Sequence, residues 1–423
     1  MSTDQPIPKK RYGFFAGSFL ITLLLYIDRV CISSAKDSIS ADLLLNDIEM
    51  GWVLSAFALG YALFQVPGGA LGDKYGVRKV MTSIMVIWSI FTALTGFAWN
   101  YISMLLARFI FGAGEAGAFP NISRAAYSWV PLKERGIFQG INFSGSRLGA
   151  AFALPLVAYL IDAWGWRTIF YFFGAVGILC SILFYLLFRN KPEEHSGISE
   201  IEKDFIIKNR QQKKETPAEP LSISKILNSK NVILAMIQYI GSNFIFFFML
   251  TWLFPYIKAK YDLNLVTTGF YAMMPLLAGA LGNWVSGYTV DAIYKTGKWK
   301  ASRQIPAIIG FILVITGIIS SLYMDTALGA VLCLSVAIFG ADMTLSPSWS
   351  FCMDIGKEHS GKVSGMMNMA GNIGAFATAL AFPYLQSWTG SNDPFFFLAA
   401  ILGMIAIVCW IYMDSTKPII DEN

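Results

Sequence analysis

Charge is what this chain has least of. Asp, Glu, Lys and Arg make up 14% of its 423 residues, while apolar types make up 55%. A soluble domain carries about 25% charged residues, so an ordinary aqueous globule is excluded. A disordered chain is excluded too, because it needs low hydrophobicity and high charge. Histidine is rarer still: His195 and His359 are the two, both in polar stretches. A proton-handling group within an apolar segment must then be a carboxylate. The five cysteines (Cys31, Cys180, Cys333, Cys352, Cys409) show no CxxC spacing. They read as small buried hydrophobes, so neither a disulfide set nor a metal site is expected. No GxxxxGK[ST] loop occurs, so ATP is not implied. HExxH and GxSxG are also missing, which argues against an enzyme. The first ten residues are polar and no short apolar core with a cleavage site follows, so no removed leader is expected.

What is present is apolar sequence in long runs. Lipid admits only helices or closed barrels, and runs of this length favour helices. A spanning helix needs about 20 residues. Twelve segments meet that need, at 12–34, 50–71, 78–98, 100–120, 137–161, 167–188, 231–257, 266–290, 304–323, 327–352, 361–387 and 395–413. With the N-terminus inside, the inner connections hold 24 Lys and Arg and the outer ones hold 4. The positive-inside rule then places both termini in the cytoplasm. The net charge of +5 is read through this distribution and implies no nucleic-acid partner.

The longest polar stretch divides the spans six and six. The expected organisation is a tail at 1–10, a six-helix bundle at 11–189, a cytoplasmic connection at 190–230, a second bundle at 231–414 and a tail at 415–423. The halves show traces of duplication. Gly69 and Asp73 recur as Gly287 and Asp291, while Gly136, Gly140, Gly149 and Ala150 recur as Gly361, Gly365, Gly374 and Ala375. Duplicated halves are a common build of secondary transporters, which bind substrate between them near the midplane.

The stretch Gly69-Ala-Leu-Gly-Asp73-Lys-Tyr-Gly76-Val-Arg78-Lys79 resembles the loop signature of the major facilitator superfamily. Further stretches resemble its anion:cation symporter family. They are Tyr26-Ile-Asp28-Arg29, Ser55 to Tyr61, Gln65-Val-Pro67, Arg108 with Gly114-Glu115-Ala116, Phe119-Pro120, and Trp129-Val-Pro131 with Glu134-Arg135-Gly136. The resemblance runs over essentially the whole chain and is strongest from about 20 to 190. It implies an all-α protein of two pseudo-symmetric six-helix bundles in a bacterial inner membrane. It also implies a proton symporter for a hexuronate, a hexonate such as galactonate or an aldarate such as glucarate. Tartrate-like dicarboxylates, aromatic acids and phosphate are alternative cargoes, and a non-transporting sensor is an alternative role. The expected partners are a small organic anion, a proton and the lipid bilayer. No cofactor is expected, and the chain is expected to act as a monomer.

Charge inside hydrocarbon is costly and is functional by default. The spans hold Asp28, Arg29, Arg108, Glu115, Arg124, Arg147 and Asp342. Arg108 and Glu115 are seven apart and share one face of span four, with Gly112 between them. Asp28 and Arg29 are neighbours and must point about 100° apart on a helix. Arg29 is expected to hold a substrate carboxylate, since a guanidinium is a fixed two-pronged donor. Asp28 and Glu115 are expected to carry the coupling proton, with Arg108 tuning them; the alternative is a static buried ion pair that fixes helix packing. Arg147 aligns with Asn372 in the repeat, so the two are expected to face each other across the cavity. Arg147 then serves as a second anion contact or, alternatively, as a partner for Asp342 or a snorkelling end-of-helix cation. Asn142, Ser146, Asn243, Ser348, Ser350 and Asn368 suit a polyhydroxylated ligand, although each alone also fits interhelical hydrogen bonding. Tyr26 and Tyr61 can stack on a sugar face, as can Trp252 and Tyr256 unless they are core aromatics. Asp73, Arg78 and Asp291 lie at helix ends and are expected to act in gating.

Overall fold

The computed structural model describes residues 10–131, 134–210, 223–356 and 360–419, and among them the regular elements are helices. In the first half they are α1 Tyr12–Leu43, α2 Asp47–Tyr75, α3 Val77–Gly96, α4 Tyr101–Glu115, α5 Ala118–Trp129, α6 Arg135–Trp164 and α7 Trp166–Leu187. The connection carries α8 Glu200–Asn209 and α9 Ile223–Leu227. The second half holds α10 Lys230–Thr251, α11 Leu253–Tyr261, α12 Leu265–Lys295, α13 Trp299–Leu322, α14 Ala327–Met343, α15 Leu345–Gly356, α16 Ser360–Thr389 and α17 Asp393–Tyr412.

Eleven of these runs are long and apolar enough to cross a membrane. The twelfth segment expected from the sequence is α16, which has 30 residues. Asn368 and Asn372 dilute its hydropathy, although it packs along both α10 and α2. Its length and packing make it a helix of the bundle despite that dilution.

Spans four, seven and ten are each broken, giving α4–α5, α10–α11 and α14–α15. A proline follows each break, at Pro120, Pro255 and Pro347. A proline has no N–H to donate and its ring displaces the carbonyl four residues back. Pro255 therefore frees the Thr251 carbonyl, which accepts from Ser33 at 2.8 Å. Pro347 frees the Met343 carbonyl, which accepts from Ser286 at 2.5 Å. Around Pro120 the side-chain amide of Asn121 bridges the Gly68 and Gly117 carbonyls at 3.0 and 2.8 Å. Broken helices of this kind occur where neighbouring helices re-satisfy the backbone.

Glycine permits the closest helix pairs, and the two halves use it alike. On α6, Gly149 lies against the Leu23 carbonyl of α1; on α16, Gly374 lies against the Ile240 carbonyl of α10. A side chain at either place would collide with backbone.

The bundles meet at the end where α1 finishes and α2 begins. Ser33 reaches Thr251 there, Ser55 donates to the Phe376 carbonyl at 3.2 Å, and the Lys36 ammonium lies 5.9 Å from the Trp252 ring centre. Asp37 and Lys258 form an ion pair at 2.6 Å. Gly269 of α12 sits on Leu154 and Pro155 of α6.

The connection between the bundles was expected as a polar loop. It is partly ordered by a single carboxylate. Buried Glu202 on α8 accepts from the backbone N–H groups of Lys10 and Arg11 and from the Arg11 guanidinium, at 2.9–3.2 Å. Arg11 also grips Glu134 with two hydrogen bonds of 2.8 Å. That bond to Glu134 holds the Arg11 guanidinium above its ordinary pKa.

Candidate functional site

Four charged side chains from α1 and α4 converge near mid-helix in the first bundle. Asp28, Arg29, Arg108 and Glu115 are 1%, 7%, 2% and 1% exposed. Water therefore does not solvate them, and each depends on its neighbours. Arg29 Nε donates to Glu115 Oε1 at 2.9 Å. Its guanidinium also lies over three rings: Tyr26 at 4.7 Å, Tyr61 at 4.8 Å and Phe57 at 5.2 Å. Such faces attract a cation by about 0.5–2 kcal/mol each. Arg108 lies over Phe111 at 4.5 Å and over Phe57 at 5.4 Å. Phe57 is thus shared by both guanidinium groups. Gly112 makes room, because its Cα faces the Phe57 backbone with no space for a methyl group.

The cluster is under-bonded. Arg29 Nη2, Glu115 Oε2, Arg108 Nε and both oxygens of Asp28 have no hydrogen-bond partner among the described residues. Buried polar atoms are normally paired, and an unpaired one costs about 1–3 kcal/mol. Several at one place mark a site built for something that comes and goes. Asp28 and Arg29 diverge as adjacent helical residues must, with Arg29 bonded to Glu115 and Asp28 making no hydrogen bond among the described residues.

A second charged contact crosses between the bundles. Arg147 on α6 grips Asp342 on α14 with Nε and Nη2, at 2.7 and 2.6 Å. The guanidinium also lies 4.0 Å from the Phe246 ring centre. Arg147 thus has the Asp342 partner that the sequence offered as its alternative role. Asn372 crosses to Gln65 on α2 at 3.5 Å and donates to the Asn368 carbonyl at 2.9 Å.

The neutral candidates divide into two groups. Asn142, Ser146 and Ser348 are buried and each side chain makes a hydrogen bond. Asn142 accepts from Ser18 at 2.5 Å, Ser146 donates to the Phe143 carbonyl at 2.7 Å, and Ser348 donates to the Thr344 carbonyl at 2.6 Å. Gln238 in turn donates to Ser348 at 3.1 Å and accepts from Trp410 at 3.2 Å. The bonds of Asn142 and Ser348 to Ser18 and Gln238 join helices, whereas that of Ser146 stays within α6. Asn243, Ser350 and Asn368 are half-buried and less committed. Asn243 spends one amide hydrogen on the Tyr239 carbonyl at 3.0 Å. Trp252 and Tyr256 are core aromatics, tilted against Phe382 and Phe396 respectively. Sequence reading passed over Gln65 and Tyr239 as single residues. Gln65 carried a signal, being a polar group one helical turn from Tyr61 in an apolar helix. Tyr239 carried none, since an aromatic in an apolar run looks like core.

Of the helix-end candidates, Arg78 stays within its own bundle. It donates to the Tyr185 carbonyl at 2.8 Å and lies 4.2 Å from that ring. Asp291 is exposed on α12, and the side chain of Asp73 lies outside the described residues.

Residues 18–379 match the family model described as Major Facilitator Superfamily. The probable sulfoacetate transporter of Cupriavidus necator is 33% identical over 94% of this chain and 93% of its own length. The probable galactarate/D-glucarate transporter of Escherichia coli K12 is 31% identical over 95% and 94%. The hexuronate transporter of Bacillus subtilis is 27% identical over 95% and 94%. In fold the chain is similar to a bacterial homologue of the human lysosomal transporter Spinster, solved inward-facing and unoccupied. The TM-score is 0.72 at 18% identity, covering 96% of this chain and 95% of that one. The chain belongs to the Major Facilitator Superfamily; it is a multi-pass membrane transporter of small organic anions and not an enzyme.

Proposed function

We propose that this member of the superfamily imports a sugar acid together with a proton across a bacterial inner membrane, acting as a monomer with both termini in the cytoplasm. The observation that carries this reading is the Arg29–Glu115 pair with its unused hydrogen-bonding atoms, beside a buried Asp28 that makes no hydrogen bond among the described residues. An incoming carboxylate takes up the free Nη2 of Arg29 and competes with Glu115 for the guanidinium. Glu115 then loses its counter-charge, and a carboxylate without one favours its protonated form. Anion binding and proton binding thereby help one another. Arg108 and Asp28 form the second half of the relay, with Asp28 exchanging the proton when the site reopens. Tyr26 and Tyr61 flank the anion, while Asn243, Ser350 and Asn368 read hydroxyls from the other bundle. Gln65, bonded to Asn372, closes the space between them.

The bundles rock about this centre. With the N-terminus inside, the contacts around Ser33, Asp37 and Trp252 close the periplasmic end. This is an inward-facing form. Asp73, Arg78 and Asp291 act at the opposite end, where they set the rate of the reverse closure.

A second guanidinium favours a second reading of the cargo. Arg147 lies in the same interface and is held by Asp342. A substrate with an anionic group at each end, as in an aldarate, could engage Arg29 with one and displace Asp342 from Arg147 with the other. The sulfoacetate and galactarate/D-glucarate relatives carry doubly charged cargoes by name. Proteoliposome uptake of labelled galactarate, galacturonate, galactonate and sulfoacetate, with and without an inward proton gradient, tests both readings. Gradient-driven accumulation of any of them supports symport, and preference for the dianions supports the second cargo. Uptake indifferent to the gradient contradicts proton coupling.

A further inference from the structure

Away from the charged centre, the first bundle contains a cavity of about 400 Å³ between α1, α3, α5 and α7. That lies within the range of about 300–1,000 Å³ typical of ligand pockets. Its walls are almost wholly apolar, with Met81, Ala125 and Phe184 among them. Its floor on α1 is Gly13 and Gly17, one turn apart. A methyl group built on either would meet nothing within 4 Å. Gly140 and Gly365 are open in the same way, but many helix glycines are not. Gly145 and Gly149 have the same spacing and are pressed against the backbone of α1 at Phe19 and Leu23. Small residues normally bring helices together; at Gly13 and Gly17 they leave a space instead. The rim is formed by Leu20 and Leu187, which are 61% and 68% exposed on the outer surface. The cavity therefore opens sideways, between α1 and α7, where a membrane protein meets lipid tails.

Its other mouth is polar and cationic. Lys10 and His195 line it, just before the point where α1 begins at Tyr12. Both side chains converge on Gly197, with the imidazole Cε1 and the lysine Nζ each about 3 Å from where a Cβ would lie. His195 Nδ1 accepts from the Gly197 N–H at 3.1 Å, which leaves Nε2 as the donor. Trp129 meets the imidazole edge-on at 5.7 Å. No carboxylate pairs with the Lys10 ammonium among the described residues. An apolar slot open to the bilayer, capped by an ammonium and an N–H donor at the level where polar sequence gives way to a spanning helix, suits one ligand chemistry. We propose that it binds an anionic phospholipid of the surrounding membrane, with one acyl chain along Gly13 and Gly17 and the phosphate at Lys10 and His195. Residues 1–9 are a poor alternative filling, since Ile7 is the one branched aliphatic residue among two prolines and several polar groups.

The test is native mass spectrometry of the full chain, reconstituted with dioleoylphosphatidylglycerol or dioleoylphosphatidylcholine and then stripped with detergent. The wild type is expected to retain one phosphatidylglycerol per chain, about fivefold in preference to phosphatidylcholine, as befits one lysine at a membrane surface. Lys10→Glu should abolish the preference. Gly17→Leu, for which there is room, should abolish retention while the protein stays monodisperse on gel filtration. Gly13→Leu is the second filling variant if Gly17→Leu misfolds. Equal retention of the two lipids would overturn the anionic assignment. Retention unchanged in both filling variants would overturn the site itself. Retention that appears only after residues 2–9 are removed would assign the cavity to the chain's own N-terminus.

Discussion

The two bundles share an architecture and differ in how they treat buried polarity. In the first, Asp28, Arg29, Arg108 and Glu115 are sunk into hydrocarbon with five polar atoms unpaired. In the second, Gln238, Ser242, Thr344 and Ser348 are sunk equally deep, yet they form a closed chain of hydrogen bonds. A satisfied network rigidifies, whereas a half-satisfied one stores cost until a ligand or proton relieves it. The first bundle therefore reads as the reactive half and the second as the frame. The charge that breaks this division is Asp342, which leaves the second bundle to hold Arg147 of the first.

The strongest way to break the comparison is to remove the hub. Arg29→Ala is expected to cut anion uptake by about 100-fold or more, because it strips a buried carboxylate of its partner, at a cost of about 3–5 kcal/mol. Arg29→Lys should recover little, since an ammonium cannot offer the two-pronged fork. If Ser348→Ala in the second bundle proved equally damaging, the division would fail.

The next effect separates proton from anion. Glu115→Gln is expected to keep counterflow exchange and to lose gradient-driven accumulation, measured in proteoliposomes. Asp28→Asn should behave in the same way. Unchanged accumulation in both variants would remove the carboxylates from the coupling.

The pair that crosses the division makes a third test. Arg147→Met alone or Asp342→Leu alone leaves a buried charge and should destabilise by about 3 kcal/mol. The double substitution should regain most of that stability, by thermal melting in detergent. If Arg147 also receives substrate, the double variant will transport a monoanion better than a dianion.

The smallest effect belongs to the frame. Ser348→Ala removes one hydrogen bond and is expected to cost about 1 kcal/mol of stability, with KM changed less than about threefold.

The contrast between the halves was half legible in the sequence. The charged residues stand out because charge in an apolar run is costly, and residue spacing alone placed Arg108 and Glu115 on one face. Gln238 and Thr344 look like incidental polar residues until the fold brings them to Ser348. That Pro255 and Pro347 each free a carbonyl follows from proline chemistry, but each freed carbonyl finds its hydroxyl on a distant helix, Ser33 or Ser286. Residue spacing cannot supply such long-range partners. Arg147 is the exception, since its partner Asp342 could be named from the sequence as one of the few charges in an apolar run.

The central claim is that one anion and one proton are taken up by the same charged cluster. It is tested most directly by adding galactarate to the purified protein in weakly buffered solution and following a pH indicator. The account predicts proton uptake on anion binding, lost in Glu115→Gln at saturating anion. Anion binding without proton uptake in the wild type, or equal uptake in that variant, would contradict it.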